Sequence, residues 1–397
     1  MSVPFIPTRN STAGSTAAPT TSQLTTLGQC AINTYTGSFY MRKEDATISD
    51  IVGDRLSGFR NRLINGNMAI DQRNAGVSVT PADGAYTVDR WAAGLTQASK
   101  FSIQQNAGAI SGPIGLPNYL GATSLSAYTV LAGDTFRITQ AIEGVNFADF
   151  GWGSASASPV TLSFWVRSSS LTGTFGGSLR NSASNRSYPF TYTITAASTW
   201  EQKTVVIAGD TSGTWVGATN GIGVSLAFSL GSGATFSGTA GAWAAANYIS
   251  ATGAVSLVGT NAATLYITGV QLEKGLVPTP FEVRSYSTEL ALCQRYCLAF
   301  PVNSFYFGGT LRTPSTTQAC YGVVPIPVSM RAAPTAPVGS HTFYCGDNSA
   351  SANISISGIT PNSIYVSATI SSAIGTIGAA FVALVTTGNT GIYSAEL

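Results

Sequence analysis

The sequence predicts an all-β protein with an N-terminal extended segment and small β-hairpin, a central jelly-roll β-sandwich, a short helix and a C-terminal β-sandwich. Three observations carry that expectation. Only 9% of the 397 residues are charged, against about a quarter in an ordinary soluble domain. The missing charge is replaced by 47 Ser, 48 Thr and 43 Gly, while Lys occurs four times, so long amphipathic helices lack their usual building residues. Short alternations of apolar and polar residues recur between Gly-, Ser- and Asn-rich stretches, the pattern of strands and turns. The 10% aromatic content argues against disorder, which combines high charge with few aromatics.

Residues 1–27 are rich in Ser, Thr, Pro and Ala, with Arg9 the only charge. Such a segment builds no core of its own and reads as an extended strap that orders on a partner. Residues 28–59 predict two short strands, Cys30–Asn33 and Ser38–Arg42, around a Thr-Tyr-Thr-Gly turn. A lone hairpin is marginal, so this region predicts association with other copies of the chain.

Residues 60–284 predict the sandwich. In PVTLSFWVRSS, Val160, Leu162, Phe164 and Val166 share one face, and Thr161, Ser163, Trp165 and Arg167 share the other. Further strands are predicted at 86–92 (YTVDRWA), 100–105, 134–142, 188–195, 200–208, 223–230 and 263–273, with long loops at 106–125 and 209–220. A connecting helix is predicted over 285–299, with Ser287 as N-cap and Glu289 in its first turn. Residues 300–397 predict a second, smaller sandwich, with Pro325, Pro327, Pro334 and Pro337 keeping one part out of central strands. Asn348 to Ala395 carries no charge at all, so its strands are expected to be covered.

Composition also removes functional classes. A net charge of +2 without a basic run leaves no footprint for nucleic acid. His341 is the only histidine, and no phosphate-loop, dinucleotide, nucleophile-elbow or HExxH pattern occurs, so no cofactor or metal is expected. Ala373 to Val385, the longest apolar run, is interrupted by Gly375, Thr376 and Gly378, too short to span a membrane. MSVPFIPTRN does not read as a secretory leader. The five cysteines, Cys30, Cys293, Cys297, Cys320 and Cys345, are sparse and odd in number, as in a protein made in a reducing cytoplasm. Cys293 and Cys297 read as buried core thiols sharing a helix face with Leu290; a metal or a disulfide to Cys320 or Cys345 is the alternative. Glu143, Asp149 and Asp134 are the carboxylates closest to a hydrolytic pair, but no pattern marks them as a catalytic site.

Candidate binding residues are aromatic. Trp152, Trp215 and Trp243 fall in predicted loops, where rigid scaffolds present ligand contacts. Trp165 and Arg167 project together from the face opposite the core stripe, a face left either open or buried by a neighbouring subunit. Asp89, Arg90 and Trp91 read as structural, with Trp91 in the core and Asp89 and Arg90 as a local ion pair.

Several blocks carry a family likeness: NRLINGNMAIDQRNAGVSVT, YTVDRW, GAWAAANYISATGAVSLVGTNAATLYITGVQLEKG, TPFEVRSYSTELALCQRYC, PVSMRAAPT and the terminal SAEL. In this order they resemble phage and prophage tail-fibre or receptor-binding proteins. GQCAINTYTGSFYMRKEDATISDI is similar to a short repeat near the N-terminus of such fibres, with Gln29-Cys30 and Thr36-Gly37 where the repeat carries an acidic residue and an Asp-Gly turn. The resemblance implies a homotrimeric virion appendage in which residues 1–27 dock to other virion proteins, residues 28–59 trimerise, a carbohydrate-binding jelly roll follows, and 300–397 form the tip. Its implied role is non-enzymatic adhesion to a host surface glycan or appendage. A head, neck or collar fibre and a capsule depolymerase are the alternatives.

Overall fold

The computed structural model describes residues 7–10, 24–25, 29–33, 38–42, 48–52, 59–217, 219–300, 306–311, 318–335, 341–345, 348–370, 380–385 and 391–397. Alternating apolar residues and hydroxyl-bearing neighbours produce short strands throughout. The first are β1 (Pro7–Asn10), β2 (Cys30–Asn33), β3 (Ser38–Arg42) and β4 (Ile48–Val52). They form one sheet in chain order, β1 parallel to β2 and the later pairs antiparallel. The hairpin thus gains a strand on each side, which relieves the marginality of two strands alone. Most of the segment 1–27 lies outside the described residues.

The central unit comprises β5 (Tyr86–Val88), β6 (Trp91–Leu95), β7 (Phe101–Gln105), β8 (Leu120–Ser124), β9 (Thr135–Glu143), β10 (Val160–Ser168), β11 (Gly173–Arg180), β12 (Ser187–Ile194), β13 (Glu201–Ile207), β14 (Ile222–Ser232), β15 (Ser237–Gly238), β16 (Ser250–Ala251) and β17 (Thr264–Lys274). One sheet has the order β13-β10-β17-β8-β7 and the other β12-β11-β14-β9-β6-β5, with β15 and β16 a short separate pair. Every pairing within the two large sheets is antiparallel. Val160, Leu162, Phe164 and Val166 are fully buried between the sheets, in one cluster with Phe136, Ile138, Phe175 and Phe228. Each such side chain contributes about 1.5–3 kcal/mol through removal from water.

Three expectations here are corrected. YTVDRWA is two strands, because Arg90 takes a left-handed backbone (φ 71) and Asp89–Arg90 form the turn of a tight hairpin. Arg90 and Asp89 do not pair with each other: Arg90 pairs with Glu396, and Asp89 accepts from the backbone and side chain of Gln72. The predicted loop 106–125 contains β8, whose Gly and Ala obscure its strand character.

The helix α1 spans Tyr286–Gln294 and is capped by Ser285, not Ser287: the Ser285 hydroxyl accepts from the Thr288 N–H at 3.3 Å. It stops short of 299 because the chain re-extends as β18 (Cys297–Phe300). Cys293 therefore lies on the helix and Cys297 on a strand, both buried and unpaired, and burial pushes both thiols up. The side chains of Cys320 and Cys345 lie outside the described residues.

The C-terminal unit differs from the expected sandwich. β19 (Tyr306–Leu311), β20 (Gln318–Pro325), β21 (His341–Cys345), β22 (Asn348–Ile359), β23 (Ser363–Ile370) and β24 (Ala380–Val385) close into a barrel of order β19-β20-β23-β22-β21-β24, with β24 also paired to β19. Closure leaves no open edge, which suits strands without charged residues to guard one. The chain then leaves the barrel as β25 (Gly391–Ser394), antiparallel to β18.

That return builds a joint. Arg90 bonds Glu396 and the Ala141 carbonyl (2.6 Å) and lies over the Tyr296 ring, 3.5 Å from its centroid. Arg73 meets Glu396 at 3.0 Å, and Arg331 donates to the Ala395 and Glu396 carbonyls at 2.8 and 2.6 Å. Asn65 donates its backbone N–H to Glu289 and its amide to the Ile70 and Asp89 carbonyls, while Trp91 donates to the Asn65 carbonyl. Five of the six sequence blocks singled out above meet here. No helix among the described residues is long and apolar enough to cross a membrane.

Candidate functional site

The structure sorts the five predicted binding residues into two places. Trp152, Trp215 and Trp243 come together at one end of the sandwich, with ring centroids 4.8, 5.0 and 5.4 Å apart in near-perpendicular pairs. Phe147 and Tyr188 extend the cluster. Each indole N–H is spent internally: Trp152 on the Ser158 carbonyl (2.7 Å), Trp243 on the Ala208 carbonyl (2.8 Å), and Trp215 on Asp210 and the Ser212 carbonyl, both 3.2 Å. Asp210 also receives a two-pronged ion pair from Arg186 at 2.8 and 2.5 Å. Trp152 is only 8% exposed. It is corrected from ligand contact to core, because it packs among Phe147, Trp215 and Trp243 and is almost wholly out of water. Trp215 and Trp243 are half-buried and lock the loops that carry them.

Trp165 and Arg167 lie on β10, on the outer face of the five-stranded sheet, both half-buried. Register sets Trp165 beside Gln202 of β13 and Thr268 of β17, and Arg167 beside Tyr266. Continuing the β13 alternation, Trp200, Gln202 and Thr204 lie on the same side. Trp200 packs at 5.7 Å from Tyr119 and 6.3 Å from Tyr266, and its N–H donates to the Ser111 carbonyl at 2.8 Å. The Arg167 guanidinium lies 6.0 Å from the Tyr266 ring centroid.

What fixes Trp165 is an irregularity in its partner strand. The β10–β17 register shifts between Ser163 and Trp165, and opposite that shift Gly269 adopts φ +59. A Cβ there would stand 2.7 Å from Leu116 and 3.1 Å from the Trp165 indole, so only glycine satisfies both backbone and space. At the start of β13, Glu201 accepts from the Thr195 and Ala196 N–H groups at 2.8 and 2.9 Å and from Lys203 at 2.6 Å. Burial pushes the Glu201 carboxyl up, but these donors outweigh it and hold it at about 2, so the turn before Trp200 stays closed.

Arg167 is the unspent group. Among the described residues it makes no hydrogen bond or ion pair, and its Nε is buried without a partner. A guanidinium has five donors, and here they stand between two indoles, Trp165 and Trp200, with the exposed Gln202 amide on the next rung. Trp200, Gln202 and Tyr266 escaped the sequence reading. The alternation in WEQKTVVI held the signal, but only the pairing register sets it against Trp165.

The carboxylates considered for hydrolysis are occupied. Glu143 is buried and takes both prongs of Arg295 at 3.0 and 3.2 Å. Asp149 pairs with Arg62 at 2.8 Å, and Asp134 accepts from Thr96, Tyr128 and the Leu131 N–H. Among the described residues no group of three His, Cys, Asp or Glu side chains is placed to hold a metal ion.

Among solved structures, the chain is similar to the enzymatically active domain of tailspike protein 4 from bacteriophage CBA120, at 12% identity and TM-score 0.30, over 55% of this chain and 22% of that one. It is similar to a carbohydrate-binding module in complex with β-1,4-galactotriose, at 10% identity and TM-score 0.28, over 54% and 99% of the two chains. It is also similar to the family 11 carbohydrate-binding module of a cellulosomal cellulase from Clostridium thermocellum, at 12% identity and TM-score 0.25, over 52% and 99%. No family model matches the sequence, and no curated protein does.

Proposed function

We propose that the protein is a non-enzymatic virion fibre subunit, a homotrimeric tail fibre, that holds the particle to a host surface glycan through the outer face of the five-stranded sheet. One observation carries the glycan reading. Arg167 keeps its donors unspent between Trp165 and Trp200, beside the Gln202 amide. Indoles accept the apolar face of a sugar ring, and forked donors take its hydroxyls. Such a shallow strip binds weakly per copy, and several copies on one particle supply avidity. The virion assignment rests on the order of the sequence blocks, and their convergence on one joint supports reading them as a scaffold signature. Docking of residues 1–27 to other virion proteins belongs to the same proposal. The internal partners of Glu143, Asp149 and Asp134 favour adhesion over cleavage.

The test is adsorption of purified protein to host envelope polysaccharide, read with the chain's mass in solution and its position on particles by electron microscopy. Trp165→Ala with Trp200→Ala should abolish adsorption without unfolding the protein. Unchanged adsorption overturns the site. Shortened polysaccharide overturns the non-enzymatic reading, and a monomer absent from particles overturns the fibre.

A further inference from the structure

The opposite sheet carries a second set of unspent cations. Arg137 of β9 and Arg180 of β11 line one cavity of about 200 Å³ with Asp83, Thr96, Thr135, Phe236, Asn247 and Ile249 among its walls. Among the described residues, Arg90, Arg284 and Arg186 each meet a carboxylate and Arg331 meets carbonyls, although the Nε of Arg90 and of Arg284 also lacks a partner. Arg180, 7% exposed, donates only to the Asn247 amide oxygen (2.8 Å), and Arg137 only to the Thr135 hydroxyl (2.9 Å). Neither has an ion pair among the described residues, and the Nε of each is buried without a partner. Burial first, then the neighbouring Arg137 charge, pulls the Arg180 guanidinium below its ordinary range. Asp83 is exposed, accepts the Leu95 N–H at 2.8 Å and leaves the pocket with one uncompensated positive charge.

The backbone is shaped for this placement. Gly94 of β6 stands opposite Arg137 in register, and a Cβ there would come within 2.5 Å of the guanidinium carbon. Two desolvated like charges that share a single exposed carboxylate, Asp83, which acts on Arg137 and not on Arg180, are costly in a folded protein. An oxyanion in the cavity would satisfy both guanidinia at once. The volume is below the range of about 300–1,000 Å³ typical of drug-sized ligands, so it suits one small group and not an extended chain.

We propose that this cavity is an anion site taking the carboxylate of an acidic sugar unit. It rests on the glycan reading above and specifies a sugar class, but it uses a different sheet and different residues.

The probes are glucuronate, glucose and inorganic sulfate, titrated calorimetrically into the full chain. Saturable binding of glucuronate but not glucose, weakening with added salt, is the expected result. Arg180→Gln and Arg137→Gln should each weaken it roughly tenfold or more, the scale of a lost charge-assisted hydrogen bond. Without ligand, either substitution should raise the thermal midpoint by relieving the unpaired charge, which an arginine serving as a structural strut would not do. The Trp165→Ala, Trp200→Ala protein should retain glucuronate binding. No glucuronate binding, binding of sulfate alone, or glucuronate binding indifferent to both arginine variants overturns the proposal. Host polysaccharide adsorption that persists through such a failure leaves the aromatic face standing.

Discussion

Arg90 and Glu396 lie 306 positions apart and form an ion pair whose side chains are 1% and 6% exposed. The pair ties the hairpin turn of the sandwich to the end of the chain after it has passed through the barrel. Glu396→Gln leaves the Arg90 guanidinium buried with Arg73 nearby and no counter-charge, which should cost about 3–5 kcal/mol. Urea unfolding reads the loss. Arg90→Met combined with Glu396→Leu should recover much of it, because burial without charge avoids the desolvation cost. A double variant as unstable as the single one would mean that the geometry of the joint, not its charge pairing, holds it.

Asp89 predicts a pH dependence. Burial raises its carboxyl from 3.8 to about 6, against the opposing hydrogen bonds from Gln72. An acid whose folded pKa is raised holds its proton more tightly in the native state. Its contribution to stability is therefore full below the unfolded value and is lost as pH rises through about 6. Relative to Asp89→Asn, the wild-type protein should lose of order 2 kcal/mol on going from pH 4 to pH 7. The lost carboxylate contacts in the variant shift the comparison by a constant and leave the slope intact. Thermal midpoints of both proteins across that range check it, and parallel curves would refute it.

Val160–Ser168 is readable residue by residue, because Val160, Leu162, Phe164 and Val166 alternate with Thr161, Ser163, Trp165 and Arg167, of which Trp165 and Arg167 are only half-buried; Thr264–Lys274 is legible as a strand, but its burial on both faces is not. β8 and β11 are not: LGATS and GTFGGSLR owe their strand state to flanking strands in the sheets, not to their own propensity. The break at Asp89–Arg90 is equally hidden, since arginine seldom takes a left-handed backbone and does so here where its side chain meets Glu396. Trp165 and Arg167 could be assigned to a shared face from sequence. Their partner Trp200 could not, because cross-strand register is a long-range property. The loop tryptophans failed differently: their loop positions were legible, but not their mutual packing.

Gly269 is a test of the aromatic face. Gly269→Ala places a Cβ against Leu116 and Trp165 at a φ of +59, which should cost about 2–3 kcal/mol. The strain falls on the indole, so the variant should also shift Trp165 fluorescence, isolated by comparison with Trp165→Phe. A destabilised variant with unchanged Trp165 emission would separate the backbone strain from the site.

Asp210 decides whether the tryptophan cluster is a lock. It accepts from Arg186 at 2.8 and 2.5 Å, from the Ser212 N–H at 3.1 Å and from the Trp215 indole at 3.2 Å, and its side chain is 2% exposed. Asp210→Ala removes the acceptor for all of these and leaves Arg186 without its counter-ion, a loss of about 3 kcal/mol. Because Trp215 is held against Trp152 and Trp243 at 4.8 and 5.4 Å, its release should collapse the near-ultraviolet circular dichroism of the coupled indoles while the far-ultraviolet β signal persists. Arg186→Ala should give a smaller loss of the same signal, since Trp215 and Ser212 keep their acceptor. If both variants retain the wild-type near-ultraviolet spectrum, the three rings are held by packing against Phe147 and Tyr188 alone and the carboxylate is not their anchor.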